Sequence, residues 1–552
     1  MNPLFLTDGY KTGHHQQYPK GTTLVYSNFT PRSNKYAPKG CDEVVSFGQQ
    51  MVMKQIHEAF QRDFFSQPKD VVCGQMKEEL TMYLGMDYDV THFEKLHDLG
   101  YLPIEVKAIS EGTMVPIKVP VLTIYNTHPD FYWLTNYLET ILSNLLWKPM
   151  TSATIARQYR KVLTGWMEKT DPANAWFIDW QGHDFSMRGM DSAEAVISSG
   201  LGHLTAFSGT DSLPAIHGAR KYYGAEGFVA ASVPATEHSV MCAGGKEDEV
   251  DTFRRLLETY PKGILSVVSD TWDLWKVCTE HVATLKEEIL ARDGKLVIRP
   301  DSGTPEDILC GMRVMTEFEF NDFVYTDEYR YKANGIVILK DGVYYEPEVT
   351  HWPDGSVDWA GADINGKIYT EHEVKGVIEL LWDVFGGTIN KQGYKVLDPH
   401  IGAIYGDSIT IDRANEICTR LESKGFASTN VVLGIGSFTY QYNTRDTFGF
   451  AMKATYVEIK HPAESGSPAF AIEGREIFKD PITDDGTKKS ATGLLCVEEH
   501  DGKIGLYDKV QWATEKTGLL QTIYLNGEFH NETALSEIRN SIKESLIEKV
   551  IA

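Results

Sequence analysis

Short apolar runs that stop at Gly, Asp, Ser or Arg recur between residues 200 and 440, each followed by a stretch of helical periodicity. LTAFSGTD precedes SLPAIHGARKYYG, and FVAASVPATEH precedes SVMCAG. ILSVVSDTWD, KLVIRPDSG and HIGAIYGDS each lead into a helical pattern, and NVVLGIGS closes the series. Strand-loop-helix units in succession predict a parallel sheet, and a closed or irregular α/β barrel is its most economical form. Residues 46–170 carry apolar positions three and four apart and read mostly as helices, among them DFYWLTNYLETILSNLLWKPM and, separately, TSATIARQYRKVLTGWMEKT. Residues 318–395 break the rhythm, because Asp-Gly and Asn-Gly pairs between alternating residues predict β-hairpins. That stretch reads as an acidic, peripheral insertion. After it the chain returns to mixed strands and ends in an exposed helix, SEIRNSIKESLIEKVIA.

A chain of 552 residues calls for two or three domains. Its 53 Lys+Arg against 77 Asp+Glu give a formal net charge of −24, a surface that repels nucleic acid and anionic membranes. A phosphate ligand must then be held by a local basic cluster against the global field. The seven cysteines are scattered and lack CxxC spacing, so neither a disulfide framework nor a zinc site is expected, and reduced thiols fit a cytoplasmic protein. A three-residue apolar run before Thr7 is too short for a secretory leader, and no run of 18 apolar residues is present.

Barrel chemistry gathers at the carboxyl ends of strands, and several candidate groups stand there. Arg299-Pro300-Asp301-Ser302-Gly303 follows a strand; Arg299 offers a planar fork, and Asp301 suits ribose hydroxyls or a metal, although the same residues could simply cap a helix. Gly434-Ile435-Gly436-Ser437 allows backbone N–H groups to approach an anion, or forms an ordinary turn; Arg445 and Lys453 follow closely. In His183-Asp184-Phe185-Ser186-Met187-Arg188-Gly189 an aromatic plane stands three residues from a guanidinium, which suits a flat ring beside a phosphate, or a buried Phe with an exposed Arg. His238, in Ser232-Val233-Pro234-Ala235-Thr236-Glu237-His238, is either catalytic or structural. Asp211 ends another run, and Asp8-Gly9-Tyr10-Lys11 says little by itself.

Taken in order, TDGYKTGHHQQYP, VYSNFTPR, HDFSMRG, FSGTD, SVPATEHS, SVVSDTWD, IRPDSG, YGDS, GIGS, NTRDTFGFAMKATY and IFKDP resemble the nicotinamide phosphoribosyltransferase family. The resemblance implies a type II phosphoribosyltransferase fold: an irregular α/β barrel at 181–440, carrying the 318–395 insertion, packed on a second α/β domain made of 1–180 and 441–552. It also implies transfer of phosphoribosyl from 5-phosphoribosyl-1-pyrophosphate to nicotinamide, with nicotinate phosphoribosyltransferase as the alternative. Mg2+ and ATP, and a homodimer with shared sites, come with it. Phe185 and the Tyr10 of a second subunit would sandwich the pyridine ring, Asp211 would accept from the carboxamide NH2, and Arg299 would donate to its oxygen. Asp301 and Asp273 would hold ribose hydroxyls or metal. Arg188, Gly406, Asp407, Gly436 and Ser437 would surround the ribose and its 5-phosphate. Arg32, Arg445, Lys453 and Lys479 would contact pyrophosphate, with Asp8, Ser232 and Ser269 also at the substrate. His238 matches the histidine that the family phosphorylates with ATP.

Overall fold

The computed structural model describes residues 1–326, 335–353, 356–359, 366–406, 408–462, 470–478 and 491–547. Both ends of the chain interleave in one antiparallel seven-stranded sheet. Its order is Ala471–Glu476, Ala451–His461, Thr22–Thr30, Leu122–Asn126, Ile104–Ile109, Leu520–Leu525 and Glu528–Phe529. The strands at 104–126 interrupt the stretch that reads mostly as helix. Prolines at 103, 116 and 120 and the β-branched residues of VLTIYN explain why.

The second large sheet is parallel throughout, in the order Gly209–Thr210, Gly182–Asp184, Val431–Ile435, Ile401–Tyr405, Asp293–Arg299 and Lys262–Val268. Its two edges are joined by residues 231–236. Ala231 bridges Gly209 and Ala235 bridges Ser266, both in parallel. Ser266 N donates to Pro234 O at 2.9 Å, and Thr236 N to Ser266 O at 3.0 Å. The barrel is therefore closed but irregular. FVAASVPATEH, which reads as a full strand, supplies only these bridges, because Pro234 has no N–H to continue a ladder. Conversely, Gly182–Asp184 is a barrel strand without an apolar run to announce it.

A single 39-residue helix, Tyr132–Thr170, ties the two units together. Its first half buries Leu134, Leu138 and Leu142 in the core beneath the seven-stranded sheet, and its second half buries Ile155, Tyr159 and Leu163 in the barrel core. The sequence reads as two helices meeting near Pro149, yet the helix runs through that residue. Pro149 is buried there, and its ring packs over Gly48, whose φ of 96° and lack of a side chain admit the contact. Burial on both sides outweighs the one lost N–H bond.

Between the Asp293–Arg299 and Ile401–Tyr405 strands lies the hairpin Ile336–Lys340 with Val343–Tyr345, turning at Asp341-Gly342. The following helix, Glu371–Phe385, buries Val377, Ile378 and Leu381 in the barrel core.

Candidate active site

Strand parity builds the barrel mouth. Leu296 and Ile298 pack outward into the core shared with the helices, so Arg299, of opposite parity, faces the barrel interior. The same alternation sends Leu433 and Ile435 outward and Gly434 inward. A methyl group at 434 would lie 2.6 Å from Tyr405 O and 2.8 Å from Phe185 Cδ2, and one at Gly406 would lie 2.7 Å from Asp301 Oδ1. Glycine at both positions lets four strand ends meet, with Phe185 against Gly434 and the Arg299–Asp301 segment against Gly406.

Phe185 is fixed by its backbone N–H, which donates to Ile435 O at 3.0 Å. Its ring centroid lies 4.6 Å from that of His183. His183 Nε2 is 3.0 Å from Asp211 Oδ1, and Ser232 Oγ donates to the same oxygen. Fully buried Asp184 accepts from Ser186 N at 2.9 Å and Thr210 Oγ1 at 3.1 Å, locking the loops that carry Phe185 and Asp211. Burial pushes the Asp211 carboxyl up, but the bonds from His183 and Ser232 and the Arg299 charge outweigh it, so the group sits below its ordinary pKa and stays ionised. Arg299 Nη2 donates to Thr236 O, while its buried Nε has no hydrogen-bond partner among the described residues.

Next round the mouth, after the 231–236 segment, His238 opens the helix His238–Gly244. Its Nδ1 is 3.0 Å from Thr271 Oγ1, and its Nε2 is 3.9 Å from both Asp270 Oδ1 and Asp301 Oδ2. Asp270 Oδ2 accepts from Asp301 N at 2.9 Å and Ser302 Oγ at 2.6 Å, whereas its buried Oδ1 has no hydrogen-bond partner among the described residues. The mouth thus pairs a flat ring with a polar reader and, beside them, sets a histidine near two carboxylates.

A family model for the N-terminal domain of nicotinamide phosphoribosyltransferase matches residues 2–106, and one for the nicotinate phosphoribosyltransferase family matches residues 180–518. The nicotinamide phosphoribosyltransferase of Acinetobacter baylyi is 44% identical over 558 residues, covering 99% of this chain and 98% of that protein. That of Mycoplasma pneumoniae is 32% identical, covering 89% and 95%. The chain belongs to the nicotinamide phosphoribosyltransferase family. The fold agrees with the crystal structure of a nicotinate-nucleotide pyrophosphorylase from Pyrococcus furiosus, at a TM-score of 0.52 and 13% identity over 99% of this chain and 96% of that one.

Within this family member, Phe185, Asp211, Ser232, Arg299, Asp301, His238 and Gly406 come together at one mouth. The Met187–Gly189 turn bearing Arg188 joins them from the side, because Gly189 packs directly on Ser437, next to Gly436. Asp273 stands apart. Its Oδ1 caps the helix Leu274–Lys276 by accepting from Lys276 N at 3.0 Å, and the carboxylate beside Asp301 is Asp270. Ser269 is fully buried, and its hydroxyl donates to Val267 O at 2.7 Å, which makes it a backbone fastener. His183 and Asp184 lie inside a motif read for its Phe and Arg, and their supporting roles appear only once the strands are paired.

Tyr10, Asp8, Arg32 and Lys453 belong to the unit of the seven-stranded sheet. Tyr10 is 65% exposed, and its ring neighbours are Lys11 and His14; Asp8 accepts from Thr140 Oγ1 at 2.6 Å. Arg32 donates to Gly449 O at 3.1 Å, and burial together with the nearby Arg445 charge lowers its pKa. Lys453 is registered opposite Asn28 on the adjoining strands. Asp407 and Lys479 lie outside the described residues.

Proposed function

We propose that this enzyme transfers the phosphoribosyl group of 5-phosphoribosyl-1-pyrophosphate to the ring nitrogen of nicotinamide, releasing pyrophosphate. The observation that carries the reading is the Asp211 carboxylate, bonded to the His183 that packs on the Phe185 ring and lying within the field of Arg299. A carboxylate accepts from an amide NH2 but repels the carboxylate of nicotinate, and Arg299 donates to the amide oxygen. The pyridine nitrogen has a lone pair, so no general base is needed; positioning beneath the ribose C1 and stabilisation of the leaving group do the work. Phe185 sets the ring plane, with Tyr10 of a second subunit on its other face. Arg188, Gly436 and Ser437 bound the space for the sugar phosphate.

The basic residues Arg32, Arg445, Lys453 and Lys479 and the exposed Tyr10 fit a homodimer in which each subunit completes the other's site. Free cysteines, six of them buried, suit a cytoplasmic setting, and no described helix is long and apolar enough to cross a membrane. Among the described residues no group of three or more His, Cys, Asp or Glu could hold a metal alone. Asp270 and Asp301 do fit a hard cation shared with a substrate, since Asp270 Oδ1 is buried without a hydrogen-bond partner. Bound there, Mg2+ would neutralise the departing pyrophosphate. His238, between those carboxylates and half exposed, is the proposed acceptor of an ATP phosphoryl group.

Pyrophosphate release by the purified protein, with nicotinamide or nicotinate as acceptor, tests the reading. Turnover with nicotinamide in large excess is expected; turnover with nicotinate alone assigns the alternative substrate and removes the amide role of Asp211. An acid-labile phosphoprotein formed with ATP and lost in His238→Ala is expected, and label retained in that variant ends the histidine proposal.

A further inference from the structure

His183 occupies a place that no step of the proposed reaction uses. Its ring lies against Phe185, with centroids 4.6 Å apart and planes tilted by 40°. Its Nε2 is 3.0 Å from Asp211 Oδ1, and its other edge backs on Gly209, where a methyl group would lie 2.7 Å from Nδ1. The imidazole is thus held on three sides. An ionised carboxylate only accepts, so Nε2–H is the donor. Both protein bonds to Asp211, from His183 and from Ser232, end on Oδ1. Oδ2 receives none from the described residues, and the side chain remains 41% exposed towards the mouth.

We propose that His183 is a positioning residue for amide recognition: one imidazole sets the Phe185 ring and turns Asp211 so that Oδ2 faces the carboxamide NH2. The inference rests on the nicotinamide reading above and adds the residue that enforces it. Without the Nε2 donor, Asp211 keeps its charge but loses the bond that orients it, and the ring platform loses its backing. The cost falls on the pyridine substrate, because the sugar-phosphate contacts come from other elements.

The test compares the full-length parent with His183→Leu, which keeps bulk and removes the donor, and His183→Gln, which returns an N–H near the Nε2 position. Steady-state KM and kcat are measured for nicotinamide, nicotinate and 5-phosphoribosyl-1-pyrophosphate, with circular dichroism confirming the fold. In His183→Leu the nicotinamide-to-nicotinate ratio of kcat/KM is expected to fall about tenfold, the size expected for losing a hydrogen bond to a charged group. It should fall through KM for nicotinamide, with KM for 5-phosphoribosyl-1-pyrophosphate within about twofold of the parent and most of the ratio recovered in His183→Gln. A ratio unchanged in His183→Leu overturns the inference, as does an equal rise of both KM values or a failure of His183→Gln to recover the ratio in a folded protein. A parent that does not use nicotinamide fails the underlying reading instead, a result visible before any variant is made.

Discussion

The barrel mouth and the basic strand ends of the seven-stranded sheet hold the two halves of the expected chemistry in different physical states. At the mouth every reader is held by another. Asp211 is bonded by His183 and Ser232, Phe185 packs on Gly434 and His183, and Arg299 is anchored to Thr236 O. At the strand ends Arg32 and Arg445 are near enough to raise each other's energy, and Tyr10, in the Gly9–Gly13 turn, stands largely in solvent. Recognition of a neutral amide needs preorganised geometry, which Phe185, Asp211 and Arg299 supply from one chain, leaving only the free face of the ring to the proposed Tyr10 of a second copy. Holding a highly charged pyrophosphate needs positive charge that remains costly until the ligand arrives, which suits a cluster completed on assembly with a second copy.

Breaking the mouth should cost most. Arg299→Ala is expected to lower kcat/KM for nicotinamide by about 10²–10³, as for removal of one preorganised donor, with a melting temperature close to the parent's; full activity would remove Arg299 from the site. Arg445→Ala should act on the other half alone, raising KM for 5-phosphoribosyl-1-pyrophosphate by about tenfold. The parent's KM for that substrate should also rise with ionic strength, while KM for nicotinamide stays flat. Coupled changes in both KM values would dissolve the distinction between the regions. Asp211→Asn is expected to reduce the nicotinamide preference by about tenfold, since it removes the charge that repels nicotinate; an unchanged ratio rejects that role.

The smallest effect sharpens the claim that the mouth is rigid from beneath. His203 is fully buried, with Nδ1 2.8 Å from Tyr440 OH and Nε2 3.0 Å from Gly209 O, and burial pushes its pKa down to about 4. The folded pKa lies below the unfolded value of about 6.5, so acid favours the unfolded chain. The stability that His203 contributes should be full above pH 6.5 and fall by up to about 1.4 kcal/mol per pH unit towards pH 4. The gap in unfolding free energy between the parent and His203→Asn should narrow over that window. A constant gap would show that the imidazole is not held neutral.

Much of this was legible in the sequence, for identifiable reasons. KLVIRPDSG and NVVLGIGS pair an apolar run with a polar end, which is what a buried parallel strand ending at a mouth must look like. Gly182–Asp184 escaped because a glycine opens it and His183 and Asp184 bond to Asp211, Ser186 and Thr210, so no apolar run marks it. Asp270 and Asp273 share one short loop, and spacing alone could not say which carboxylate turns to Asp301 and which caps a helix. Pro149 punctuates the sequence but not the fold, because the cores packed on the two halves of Tyr132–Thr170 hold the helix continuous through it.

A crystal structure of the protein with nicotinamide mononucleotide bound tests the central claim most directly. The account predicts the pyridine ring on Phe185, the carboxamide nitrogen within hydrogen-bonding reach of Asp211 Oδ2, and the amide oxygen facing Arg299. A product seated elsewhere, or with its amide turned away from Asp211 and Arg299, would contradict it.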